Sequence, residues 1–209
     1  PYYCARTYGV DGQYGLEDTP EQYVAIVRAV FAEARRVLAA DGTLWLNLGD
    51  NYGSARESRS RIGVSTEPRQ PVPGARKSLL LIPERVALAL CADGWTLRNK
   101  IVWQKTTCMP ERVDDRLSRR HEYIFLLVKQ DSYRFDLDAI REKPPHTGVT
   151  SAERQTRGRH IWHGLAGHGV KERVPSLASH PAGPNPGDVW DLPSGQTSGS
   201  HAATFPIDL

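Results

Sequence analysis

Between Thr19 and Leu48 the sequence passes from a helical apolar stripe through an Asp-Gly stop into an apolar strand, and this succession restricts the fold more than any other feature. Thr19 is suited to cap a helix, Pro20 suits its first position, and Gln22 stands where it completes a capping box. Tyr23, Ile26, Val27, Val30, Phe31, Ala34, Val37 and Leu38 then recur at helical spacing. Asp41-Gly42 ends the run, and Thr43 to Leu48 reads as a buried strand. Helix, tight turn, buried strand is half of a parallel α/β unit.

A second unit follows the same plan. Pro83 opens a helix with Val86, Leu88, Ala89 and Leu90 inward, Asp93-Gly94 closes it, and Trp95 to Trp103 reads as a strand. Tyr123 to Val128 is the next strand. The charged linker between them, Lys105 to Arg120, is too short for a crossover helix, so an antiparallel pairing is expected. Residues 49–77 are rich in Ser, Arg, Gly and Pro and read as a long mobile loop. Beyond Lys143 pattern gives way to Pro, Gly, His and Ser, with apolar anchors at Ile161-Trp162, Val189-Trp190 and Phe205 and a return to the core near Gly187-Asp188-Val189-Trp190.

Charge is uneven. Arg141 to Val174 holds seven Lys/Arg, three Asp/Glu and four of the seven histidines, a net +4 in a chain of net +3. Such a patch reads either as a phosphate-binding footprint or as a solvated loop. His160, His163 and His168 lack Cys or acidic partners at ordered spacing, so no metal site is expected. Cys4, Cys91 and Cys108 are odd in number and far apart, which fits reduced thiols and a cytoplasmic setting. No apolar run approaches the roughly 18 residues of a spanning helix. The chain contains no G-x-S-x-G, P-loop or G-x-G-x-x-G, the marks of hydrolases and nucleotide-binding enzymes.

Five strings, in order, carry a resemblance. Pro1-Tyr2-Tyr3, with Arg6, Tyr8-Gly9 and Gln13-Tyr14-Gly15-Leu16, looks like the region that starts inside a Ser-Pro-Pro-Tyr motif. Asp41 to Asp50 is similar to a following core strand. Trp103-Gln104-Lys105, Met109-Pro110, Asp115-Arg116 and His121-Glu122-Tyr123-Ile124 resemble a later strand pair. Gly187-Asp188-Val189-Trp190 and His201 to Pro206 resemble a closing stretch. Together they resemble the amino-group (cytosine-N4 or adenine-N6) DNA methyltransferases of the permuted class, in which the catalytic motif precedes the S-adenosyl-L-methionine (AdoMet) loop. The Phe-x-Gly-x-Gly string of that loop does not occur in the sequence, and the chain reads as a fragment, expected to be inactive alone.

The resemblance implies a doubly wound, Rossmann-like AdoMet-dependent methyltransferase sheet, present in part, with an inserted irregular recognition region. Residues 1–143 would be the catalytic half, 144–186 the target-recognition insertion, and 187–209 the return toward the AdoMet loop. It implies methyl transfer to an exocyclic amine in double-stranded DNA, with a companion restriction endonuclease in view, and the Tyr-Tyr-x-x-Arg-x-Tyr-Gly continuation favours cytosine. The amine's lone pair is delocalised, so an acceptor side chain and a carbonyl of the Pro-Pro turn, here Pro1, must take its hydrogens. Tyr2 would stack on the flipped base, or be ordinary core packing. Thr204, Phe205 and Pro206 would border the cofactor, or anchor the end of the insertion. Arg154, Arg157, Arg159, Lys171 and Arg173 would contact DNA. Asp50, at the carboxyl end of a strand, would line the cleft or cap its loop. His121-Glu122 is expected to form a hydrogen-bonded turn. A non-catalytic DNA-binding or regulatory role is the alternative.

Overall fold

Thr19 caps the first helix through both halves of its box: its hydroxyl accepts from Gln22 N–H at 3.2 Å and the Gln22 side chain accepts from Thr19 N–H at 3.2 Å. The computed structural model describes residues 11–54, 72–108, 111–142 and 182–193. Helix α1 spans Pro20–Val37, strand β1 Thr43–Leu48, helix α2 Ile82–Ala92, β2 Thr96–Lys105, β3 His121–Val128 and β4 Val189–Leu192. The chain divides into two compact units, Pro1–Phe135 with Asp188–Leu209, and Asp136–Gly187. In the second, the described residues form a 3-10 turn at Asp138–Ile140, and Arg141 donates to the carbonyl of Gly183 at 3.0 Å.

In the first unit the four strands lie in the order β1-β3-β2-β4. Both β1 and β2 pair antiparallel with β3, and β4 pairs parallel with β2. The expected antiparallel partnership of β2 and β3 is therefore present, and β1, β2 and β4 all run one way around a single reversed strand. β1 does not touch a parallel neighbour, because β3 lies between it and β2. The return near Asp188 is also found: Val102 N–H donates to the Asp188 carbonyl at 2.8 Å, and Trp103 Nε1 donates to the Leu192 carbonyl at 3.1 Å.

Alternation along the strands divides the apolar residues between two faces. Leu46, Leu48, Phe125 and Leu127 join Tyr23, Val27, Ile82, Val86, Leu90 and Trp95 in the main core. Ile101, Trp103 and Ile124 face the other way, packed by Trp190 and Leu192, and Trp45 stacks there on Trp190 and Phe135. Each large side chain buried in this way contributes about 1.5–3 kcal/mol. The two helices share one face, and Glu21–Arg85 and Arg28–Asp93 pair in the same order along both. They therefore run parallel, as the helices of successive β-α-β units do.

Leu88 of α2, expected to pack inward, is 71% exposed, and Ala87 joins the core instead. The stripe on α1 is wider than the face that packs: Tyr23 and Val27 are buried, Phe31 and Leu38 partly so, but Ile26, Val30 and Val37 are exposed. The row at i, i+4 meets the core and the flanking positions turn away from it. The loop after β1 is also not free at its ends. Across its base Gly53 N–H donates to the Ser78 carbonyl, Ser54 N–H to Val72, Lys77 N–H to Gly53 and Leu80 N–H to Asn51, with bridges at Tyr52–Leu79 and Ser54–Val72. Gly53 has room for no side chain there, since a Cβ would lie 2.4 Å from the Ala75 carbonyl oxygen.

Candidate active site

Strands β1 and β2 deliver their carboxyl ends to the same edge of the sheet, and the first residues of β3 lie between them. A cavity of about 660 Å³ opens there, walled by Leu48 at the end of β1, Asp50 just after it, Lys105 at the end of β2, His121 to Tyr123 at the start of β3, and the 117–120 loop. Functional sites in α/β sheets collect at this edge, because the loops that leave parallel strands meet there.

Asp50 is held by the start of α2. Its Oδ2 accepts from Leu81 N–H and its Oδ1 from Ile82 N–H, both at 3.1 Å, and Oδ1 also accepts from Asn51 N–H at 2.8 Å. The capping position itself belongs to Leu81, in the left-handed region at φ 55° with no side-chain cap. Asp50 thus supplies a cap from 31 residues earlier while forming part of the cleft wall. Burial raises its carboxyl above the usual aspartate range; backbone N–H bonds from Ile82, Asn51 and Leu81 oppose the rise and the charge of Glu84 adds to it.

The outer wall is a cluster that sequence reading did not assemble. Glu111 receives Arg116 Nη1, and also the Arg119 N–H at 3.4 Å. Arg119 Nε stands 3.5 Å from Glu111 as an ion pair without hydrogen-bond geometry, while its Nη1 donates to the Asp50 carbonyl. Tyr52 lies under both cations, with Arg116 4.1 Å and Arg119 5.4 Å from its ring centre. For Glu111 burial pushes the pKa up, but the Arg116 and Arg119 hydrogen bonds and charges outweigh it and hold the carboxyl below its usual range. Deeper in, Glu122 is buried and pairs with Lys105. His121 lies edge-on to Tyr123, 5.1 Å between ring centres. These residues open β3 and do not form the expected turn, because pairing with Trp103 and Gln104 of β2 extends them.

Of the residues singled out from sequence, Asp50 stands on the cleft wall. Pro1, Tyr2, Arg154, Arg157, Arg159, Lys171, Arg173, Thr204, Phe205 and Pro206 lie outside the described residues. Tyr52, Glu111 and Arg119 were missed. The available signals were an aromatic two residues beyond Asp50 and an unusually charge-dense segment from Glu111 to Arg120.

A family model described as DNA methylase, covering the N6 and N4 amino methyltransferases, matches residues 1–209. The chain belongs to this N6/N4 DNA methylase family. It is 35% identical over 216 residues to the type II methyltransferase M.Cfr9I of Citrobacter freundii, covering 100% of this chain and 61% of that protein. With M.SmaI of Serratia marcescens it shares 35% over 214 residues, 99% of this chain and 62% of that one. With M.SfiI of Streptomyces fimbriatus it shares 44% over 155 residues, 74% and 35% of the two. The chain therefore spans about 61% of the length of the curated relatives it matches end to end. A putative DNA modification methylase of Thermus thermophilus, solved with S-adenosyl-L-methionine, superposes with a TM-score of 0.42 at 19% identity, over 84% of this chain and 52% of that one.

The methyl donor of the family is AdoMet. A cofactor loop needs glycines whose open side admits the ligand, whereas a Cβ added at Gly42, Gly53 or Gly74 would lie under 3 Å from Leu38, Ala75 or Leu80. Those three glycines belong to the packing of the fold and not to a cofactor cradle.

Proposed function

We propose that this chain carries the target-base side of a site-specific DNA methyltransferase that transfers methyl from AdoMet to an exocyclic amino group of a flipped base. Cytosine N4 is the favoured target and adenine N6 the next, on the Tyr2-Tyr3 to Tyr8-Gly9 continuation. The observation that carries the reading is the cleft at the carboxyl ends of β1 and β2, about 660 Å³, in a chain matched by the family throughout. Small-molecule pockets span roughly 300–1,000 Å³, so a base fits. Asp50 positions the wall by joining β1 to α2. Tyr2 stacks on the base and the Pro1 carbonyl accepts one amine hydrogen, so that no strong base is required. Thr204, Phe205 and Pro206 border the donor, and Arg154, Arg157, Arg159, Lys171 and Arg173 hold double-stranded DNA. A cytoplasmic setting and a companion endonuclease belong to the same reading; its relatives' names, type II methyltransferases, support the latter.

The test is methyl incorporation by the full-length protein into duplex DNA, followed by digestion to nucleosides and mass spectrometry. N4-methylcytosine is the expected product, and N6-methyladenine would move the target but keep the chemistry. Incorporation into RNA or protein alone, or none at all, would sink the reading.

A further inference from the structure

Leu117 is 91% exposed, more than any other large apolar residue described, yet the backbone that carries it is tied down on both sides. Arg116 Nη1 donates to the Leu117 carbonyl at 3.0 Å and to Glu111, and its guanidinium lies on the Tyr52 ring. Two residues on, Arg119 is fixed to the same Glu111 carboxylate and to the Asp50 carbonyl. The Lys77–Asp115 pair adds a further tie on the near side. A loop braced in this way presents its leucine to solvent instead of folding it inward. Leu117, Ser118, Arg119 and Arg120 also border the cleft. Arg112 and Arg120 are exposed on the same loop.

A single exposed leucine is ordinary on a protein surface. Here, however, it stands on a fixed rim, between cations, at the mouth of the cleft. A base drawn from a duplex into such a cleft leaves a gap in the stack, and leucine is among the side chains that wedge into base steps. Cations beside the wedge meet the phosphates on either side. We propose that Leu117 is the wedge that enters the DNA stack where the target base leaves it, with Arg112 and Arg120 on the flanking phosphates. The proposal rests on the reading that the substrate is a base within duplex DNA.

The test uses the full-length enzyme and a duplex carrying its own site, located by sequencing a plasmid the enzyme has modified. With 2-aminopurine at the target position, binding by the unsubstituted enzyme should raise the fluorescence as the base unstacks. Leu117→Ala should remove most of that rise and lower kcat on the paired duplex by about tenfold or more. The loss should shrink to about threefold or less when the target base faces a mismatched partner, since unpairing is then already cheap. Leu117→Met should behave like the unsubstituted enzyme. An undiminished rise and turnover in Leu117→Ala, or a loss equally large on both duplexes, would overturn the wedge alone. No methyl transfer by the unsubstituted enzyme would overturn the functional reading and the wedge with it.

Discussion

At the start of α2 the capping position is held by Leu81, whose side chain has nothing to offer a backbone N–H. The missing acceptor comes from Asp50, and the same bonds fix the end of β1 to the helix. Removing it leaves two helix-terminal N–H groups without their partner. Asp50→Ala should therefore cost about 1 kcal/mol, within the roughly 0.5–2 kcal/mol range for lost caps, read from urea unfolding. Asp50→Asn, which keeps one acceptor oxygen, should cost less. The sign with pH follows from burial, which raises the folded-state pKa of Asp50. The stabilisation from its protonation is complete below the ordinary aspartate value and is lost as pH rises through the raised folded value. Relative to Asp50→Asn, the unsubstituted protein should gain stability as pH is lowered through that window, and a gain on raising pH would contradict it. The sequence brought Asp50 to a strand end with two duties open; that one carboxylate both caps and lines the wall was not readable, because its partners lie 31 and 32 residues away.

At the scale of elements, local chemistry was the most legible. The Thr19–Gln22 box, the Asp-Gly stop and both helix-strand pairs lie where apolar spacing and turn residues put them, because each depends on neighbours within a few positions. Thr19→Ala should cost about 1 kcal/mol by exposing the Gln22 N–H, and Gln22→Ala should cost less because it leaves the stronger half of the box. Thermal unfolding of both variants checks the order; equal stability of Thr19→Ala and the unsubstituted protein would mean that α1 is held by packing alone. Less legible was the loop after β1. Its composition lacks apolar period, but pairing of residues 51–54 with 72–80 arises from backbone groups, which composition does not report.

For the whole molecule, charge is the property that reaches furthest. Phosphate contacts release counterions, so each one removed should weaken DNA binding across sequences and flatten the salt slope by about one unit. An arginine that reads a guanine edge should instead relax one position at a cost of about 1–3 kcal/mol. Replacing Arg157 and Arg159 by alanine in the full-length enzyme should weaken DNA binding while leaving AdoMet affinity unchanged. Titrations over several salt concentrations, on cognate and scrambled duplexes, separate the two roles; unchanged affinity and slope on both would make the basic segment a solvated loop. The same segment shows why composition only goes so far, since its charges suit an anion or open solvent alike and do not say which group each one would meet.

The sequence by itself determined the α/β succession, the Thr19–Gln22 cap of α1, the reversed pairing of β2 and β3, and the family, because all of these are written in short-range patterns and ordered motifs. Only the tertiary structure decided that β3 separates β1 from β2 and that Asp50 caps a distant helix. It also decided that Tyr52, Glu111, Arg116 and Arg119 form one wall beneath an exposed Leu117. Those outcomes depend on which side chains are brought within a few ångströms by strand order, and no local spacing encodes a distance between residues 50 and 119.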